Sequence, residues 1–211
     1  EHRAVPLCES HGGLSLPPSS PVDSAMSCFG LHKKPHATAE EIRELSKVGD
    51  RLFVCGFDGA ADWKKMQDYG ITHVLNTAGS KILEMRKGGK QMTCYHQSLF
   101  TYKFLEGFED RPGQKISPRF EECFAYIDEG LRKGGGVLVH CRYGVSRSTT
   151  VMTAYLMSRR GMSLDDALAQ VKRGRKSAKP NASFMDQLRE YEKDIRGSGK
   201  VVDAGPQSAS P

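Results

Sequence analysis

The hydrophobic positions of this chain alternate between two spacings. RLFVCG (51–56) and ITHVLNTA (71–78) are short, largely apolar runs. Between them AADWKKMQDYG (60–70) sets Trp63, Met66 and Tyr69 at helical intervals before Gly70. That stretch predicts a strand, a helix and a strand. MTCYHQSLF (92–100) predicts a further strand. The clearest amphipathic pattern is ISPRFEECFAYIDEGLRKGGG (116–136), with Phe120, Cys123, Phe124, Ile127 and Leu131 along one face. Ser117 is its candidate N-cap, Pro118 falls at the first helical position, and the glycines at 134–136 end it. GVLVH (136–140) then reads as a short buried strand. Helical patterns fill 146–161, 163–174 and 181–196, and Thr38 with acidic residues after it marks an earlier helix start. Strands alternating with helices, followed by a helical C-terminal half, predict an α/β fold: a central, mostly parallel twisted sheet flanked by helices.

The ends lack these patterns. Residues 1–37 are rich in Pro, Ser, Gly and His, and 197–211 form a small, polar stretch. The reading is a flexible N-terminal segment (1–37), one folded domain (38–196) and a disordered C-terminal tail (197–211). LHKKPH (31–36) reads as linker rather than as a docking peptide. The chain has 211 residues and is only 38% hydrophobic, a shortfall that sits mostly in those ends. A net charge of +6, much of it from KRGRKSAK (172–179), favours an acidic partner, although a solvated helix end is the plainer account of that run. Six cysteines show neither CxxC spacing nor a matching His cluster, which argues against a zinc site and against a disulfide framework. Unpaired cysteines suit a reducing compartment, cytoplasmic or also nuclear. No apolar run approaches the roughly 18 residues of a membrane span.

The candidate chemistry lies in VLVHCRYGVSRSTT (137–150). A strand that passes through a tight loop into a helix leaves the loop's N–H groups at a helix N-terminus, a ready anion site. Cys141 stands at the base of that cradle, where the same field favours a thiolate. Arg142, Tyr143, Gly144, Val145, Ser146 and Arg147 line it as substrate-binding residues. Gly144 lets the backbone approach an anion closely, and the Arg147 fork holds two oxygens of a transferring phosphoryl group. Ser148 is placed to donate to the sulfur and make it a better leaving group. His140 is expected to orient the loop through its ring, and the Arg142 side chain to face solvent.

The HCxxGxSRS pattern in this context resembles the Cys-x5-Arg signature of the protein tyrosine phosphatase superfamily, specifically the dual-specificity phosphatases. RLFVCGFDGAADWKKMQDYGITHVLNTA (51–78), AYLM (154–157) and PNASFMDQL (180–188) are similar to that family's opening strands, the helix after its phosphate loop and its Pro-Asn motif. The resemblance implies a cysteine-dependent hydrolase that passes through a phosphocysteine intermediate and needs no cofactor or metal. It implies phosphorylated proteins, kinases among them, as partners, with no nucleic acid. Asn181 would brace the phosphate loop and Arg175 would lie near the pocket mouth. An aspartate about thirty residues before the cysteine would serve as acid and then base; Asp110 in FEDRPGQKISPRF has that position, with Glu109 and Asp128 as alternatives. The competing substrates are a phosphoinositide, a phosphoglucan or an RNA 5′-phosphate. A phospho-binding pseudophosphatase scaffold is the competing class.

Overall fold

A computed structural model describes residues 37–80, 86–87, 90–91 and 96–197. Its five-stranded sheet has the order β1–β2–β7–β3–β6, formed by β1 (Ser46–Gly49), β2 (Leu52–Cys55), β3 (Ile71–Asn76), β6 (Thr101–Phe104) and β7 (Gly136–His140). Only β1 runs antiparallel to its neighbour, and the other pairings are parallel. Two-residue strands β4 (Arg86–Lys87) and β5 (Lys90–Gln91) pair separately. The sheet is the expected mostly parallel one. β7 is its centre, and all five of its residues are buried, as a strand covered on both faces requires.

The alternation of side chains along β7 divides the interior. Val137 and Val139 face the larger core, while Leu138 faces a smaller one with Leu45, Phe53, Met66 and Val74. The larger side holds α4 (Phe120–Arg132), α5 (Arg147–Arg160), α6 (Leu164–Gly174) and α7 (Ala182–Gly197). Every residue of α5 from Ser148 to Ser158 is buried. Its threonines tolerate this because Thr149, Thr150 and Thr153 donate their hydroxyls to carbonyls three or four residues back. On the smaller side are three short helices: α1 (Ala39–Arg43), α2 (Phe57–Ala60) and α3 (Trp63–Asp68). Thr38 caps α1 in a capping box with Glu41.

Two sequence expectations change, and one strand is added to them. The strand expected at 92–100 is instead β6 at 101–104. Residues 92–95 lie outside the described residues, and 96–100 turn back on the His96 carbonyl. SKVG, which carries no visible alternation, is an edge strand. Ser117 does not cap α4: it opens a 3-10 turn (Ser117–Arg119), and the free N–H groups of Ile116 and Ser117 go to the Gln187 side chain on α7. Of the proposed flexible ends, 1–36, LHKKPH included, and 198–211 lie outside the described residues; α7 runs to Gly197, one residue beyond the proposed domain.

The parallel strands finish level with one another. Cys55 and Asn76 both pair with His140, and Phe104 pairs with Asn76. The loops that follow β2, β3, β6 and β7 therefore leave one sheet edge together, where ligands bind in open α/β folds.

Candidate active site

The loop from Cys141 to Arg147 is held from outside through its carbonyls. Thr77 donates its N–H and hydroxyl to the His140 carbonyl, and Phe57 N–H goes to that of Arg142. Arg175 reaches Tyr143 and Gly144, Lys179 N–H and the Thr149 hydroxyl reach Val145, and Thr149 and Thr150 reach Ser146. With its carbonyls tied outward, the loop's N–H groups face its centre, in front of an α5 N-terminus that has no side-chain cap. Gly144 adopts φ +67°, and a Cβ there would stand 2.5 Å from the Cys55 carbonyl carbon and oxygen. Only glycine fits that turn.

Cys141 Sγ lies at the floor of this ring. It accepts from Gly144 N at 3.2 Å and from Ser148 Oγ at 3.3 Å. Burial opposes the anion, as does Asp110, but the Arg147 charge and the Ser148 hydrogen bonds outweigh them and hold the thiol below its ordinary range. Cys123 supplies the contrast. It is just as buried, yet desolvation pushes its thiol up to about 12. The loop, not burial, makes the difference.

A second loop, from β6 to the 3-10 turn, covers the ring. Asp110 Oδ1 accepts from Ser146 Oγ and from Asn181 Nδ2, each at 2.8 Å. Its Oδ2 lies 3.9 Å from Arg147 Nε, a buried donor with no hydrogen-bond partner. Arg147 Nη1 donates to the Phe108 carbonyl at 3.0 Å, tying the two loops together. Asn181 N–H also donates to Ser146 Oγ, and its Oδ1 accepts from Phe184 N–H at the start of α7. The Cys141 loop, the fixed Arg147 guanidinium and the Asp110 carboxylate are thus brought together.

Most of the residues predicted from sequence gather here, with several changes of place. Arg175 is not at the mouth: it is 2% exposed behind the loop, reaching also Ser46 Oγ and the Glu44 carbonyl. Its neighbours Lys172, Arg173, Lys176 and Lys179 are exposed, so this guanidinium is the one basic side chain of the run that is turned inward. Asn181 touches both Ser146 and Asp110. The Arg142 side chain is half-buried rather than turned to solvent, its guanidinium 5.3 Å from the centre of the Tyr143 ring. His140 Nδ1 has no hydrogen-bond partner and burial lowers the ring pKa to about 4, but the ring does hydrogen-bond the Cys141 backbone, as expected, and the His140 carbonyl braces the loop as well. Glu109 pairs with Arg111 on the surface, and Asp128 is held by Tyr155 and Arg159 on the far side of α4. Sequence reasoning passed over Thr77, Thr149, Thr150 and the Phe108 carbonyl. A pair of threonines directly after an anion loop is the one local signal among these. Among the described residues no group of three or more His, Cys, Asp or Glu could hold a metal, and no helix is long and apolar enough to cross a membrane.

Residues 52–194 match the dual specificity phosphatase catalytic domain, and the chain belongs to that family. Dual specificity protein phosphatase 1B of Arabidopsis thaliana is 35% identical over 156 residues, 74% of this chain and 86% of that protein. MAP kinase phosphatase with leucine-rich repeats protein 3 of Dictyostelium discoideum is 35% identical over 147 residues, 70% of this chain but 16% of its own length. Among solved structures, the human tyrosine phosphatase-like serine/threonine/tyrosine-interacting protein superposes with a TM-score of 0.65 at 33% identity, over 73% of this chain and 99% of that one.

Proposed function

We propose that this protein hydrolyses phosphotyrosine and phosphoserine or phosphothreonine in proteins through a phosphocysteine intermediate. The observation that carries the reading is the Cys141 thiol, shifted toward its anion at the floor of a ring of inward N–H groups. In the first step Cys141 Sγ forms a bond to phosphorus. The bond from phosphorus to the ester oxygen breaks, and Asp110 gives that oxygen its proton. Arg147 and the loop amides take up the charge on the phosphoryl oxygens. In the second step Asp110 accepts a proton from water as the water oxygen bonds to phosphorus. The P–S bond breaks, Ser148 donates to the departing sulfur, and inorganic phosphate leaves.

Retention of Cys141, of Arg147 and of Asp110 docked on the Cys141 loop favours an enzyme over a phospho-binding scaffold. Kinases are among the expected phosphoprotein substrates, in keeping with the relative named as a MAP kinase phosphatase. The test is metal-independent hydrolysis of an aryl phosphate by wild type and by Cys141→Ser. The variant is expected to lose activity by on the order of 10⁴-fold or more, and equal rates would overturn the mechanism. A panel of phosphopeptides, phosphoinositides and phosphoglucan checks the substrate class; preference for either non-protein ester would overturn that part.

A further inference from the structure

We propose that Gln187, on α7, is a positioning residue that sets how far the Asp110 loop descends onto the phosphate loop. The inference rests on Asp110 being the acid. Gln187 is 6% exposed, and both ends of its amide are engaged. Its Oε1 accepts from Ile116 N at 2.8 Å and Ser117 N at 3.1 Å. Its Nε2 donates to the Gln114 carbonyl at 2.7 Å and the Ser183 carbonyl at 3.2 Å. A side-chain amide offers two donors and two acceptor sites, so this one is saturated and held in a single orientation.

Three of those four contacts are to the acid loop. Asp110 is linked to them by a tight turn in which Gln114 N–H donates to the Arg111 carbonyl across Pro112 and Gly113, with Gly113 at φ +79°. Such a turn is a short, stiff lever, so the height of Gln114 governs the height of Asp110. The reference for both is one element. Asn181, at the start of α7, grips Asp110 and Ser146, and Gln187 grips Gln114, Ile116 and Ser117 roughly 9 Å further along. α7 thereby fixes the acid relative to the nucleophile at two points, of which Gln187 is the one that touches neither the phosphate loop nor the reacting groups.

A misplaced acid has a signature that general loosening of the fold does not. Protonating the leaving oxygen makes the rate insensitive to the acidity of the departing alcohol; without it, weakly acidic leaving groups slow selectively. The experiment measures kcat/KM for aryl phosphates whose phenols run from strongly to weakly acidic. The ratio between the two ends does not depend on what fraction of a variant is folded. Asp110→Asn serves as the reference and should depend steeply on the leaving group. Gln187→Ala is expected to lose on the order of tenfold on the weakest phenol and little on the most acidic. Gln187→Glu keeps the acceptors for Ile116 and Ser117 but loses the donor to Gln114, and should fall between Ala and wild type. A wild-type ratio in Gln187→Ala beside a steep Asp110→Asn would overturn the positioning role while leaving the acid in place. A flat Asp110→Asn would overturn the acid, and this inference with it.

Discussion

Two loops leave the same edge of the sheet and are secured in opposite ways. The Cys141 loop runs directly from β7 into α5, and its carbonyls are tied by backbone amides, threonine hydroxyls and the buried Arg175. The Asp110 loop is held by side chains that reach in from elsewhere: Ser146, Asn181 and Arg147 at its tip, Arg119 at the Glu106 carbonyl, and Gln187 at its far end. The Cys141 loop is therefore preorganised by the fold itself, whereas the Asp110 loop is docked. Damage to the first should slow every substrate alike, while damage to the second should sort substrates by leaving group.

Gly144→Ala should break the first loop most severely. It combines a left-handed backbone with an immovable contact at the Cys55 carbonyl, a cost of about 4 kcal/mol. Thermal melting should fall, and turnover should drop on the order of 100-fold to the same extent for strong and weak leaving groups. Selective loss on weak leaving groups would show that the two loops do not act separately.

Acid should weaken the same region through His140. Its folded pKa of about 4 lies below the ordinary 6.5, because burial disfavours the charged ring. The unfolded chain thus binds the proton first. The stabilisation is complete above pH 6.5 and is lost as pH falls from there through about 4, a change of about 3 kcal/mol. Urea unfolding across that range should be markedly shallower in His140→Gln; identical acid dependence in the two proteins would refute this assignment.

Ser148→Ala should have the smallest effect. Removing a donor to the sulfur disfavours the thiolate, so the Cys141 pKa rises. The pH midpoint of alkylation by iodoacetamide should move upward. An unmoved midpoint would mean that Arg147 and the loop amides hold the anion without help from Ser148.

The fold and the geometry of the Cys141 loop were legible in the sequence because their determinants are local. Period-2 and period-3.6 patterning marked β2, β3, β7 and the four large helices, and the strand–loop–helix run at 137–150 placed Cys141, Gly144, Arg147 and Ser148 within eight residues of one another. SKVG and TYKF escaped because four-residue strands at sheet edges carry too few positions to show an alternation. The Asp110 side required the tertiary structure. Asp110 meets Ser146 across 36 residues and Asn181 across 71, and Gln187 reaches Ile116 across 71. Contacts at such separations leave no periodic trace in the chain. Arg175 is the sharpest instance: among its basic neighbours it reads as one more solvated charge, and only the packing of α6 against β1 turns it inward onto two loop carbonyls. Local hydrogen bonding and side-chain period determined where the Cys141 loop would be. Long-range burial decided what braces it and where Asp110 docks, because those contacts exist only once the sheet has brought its loop ends to a common edge.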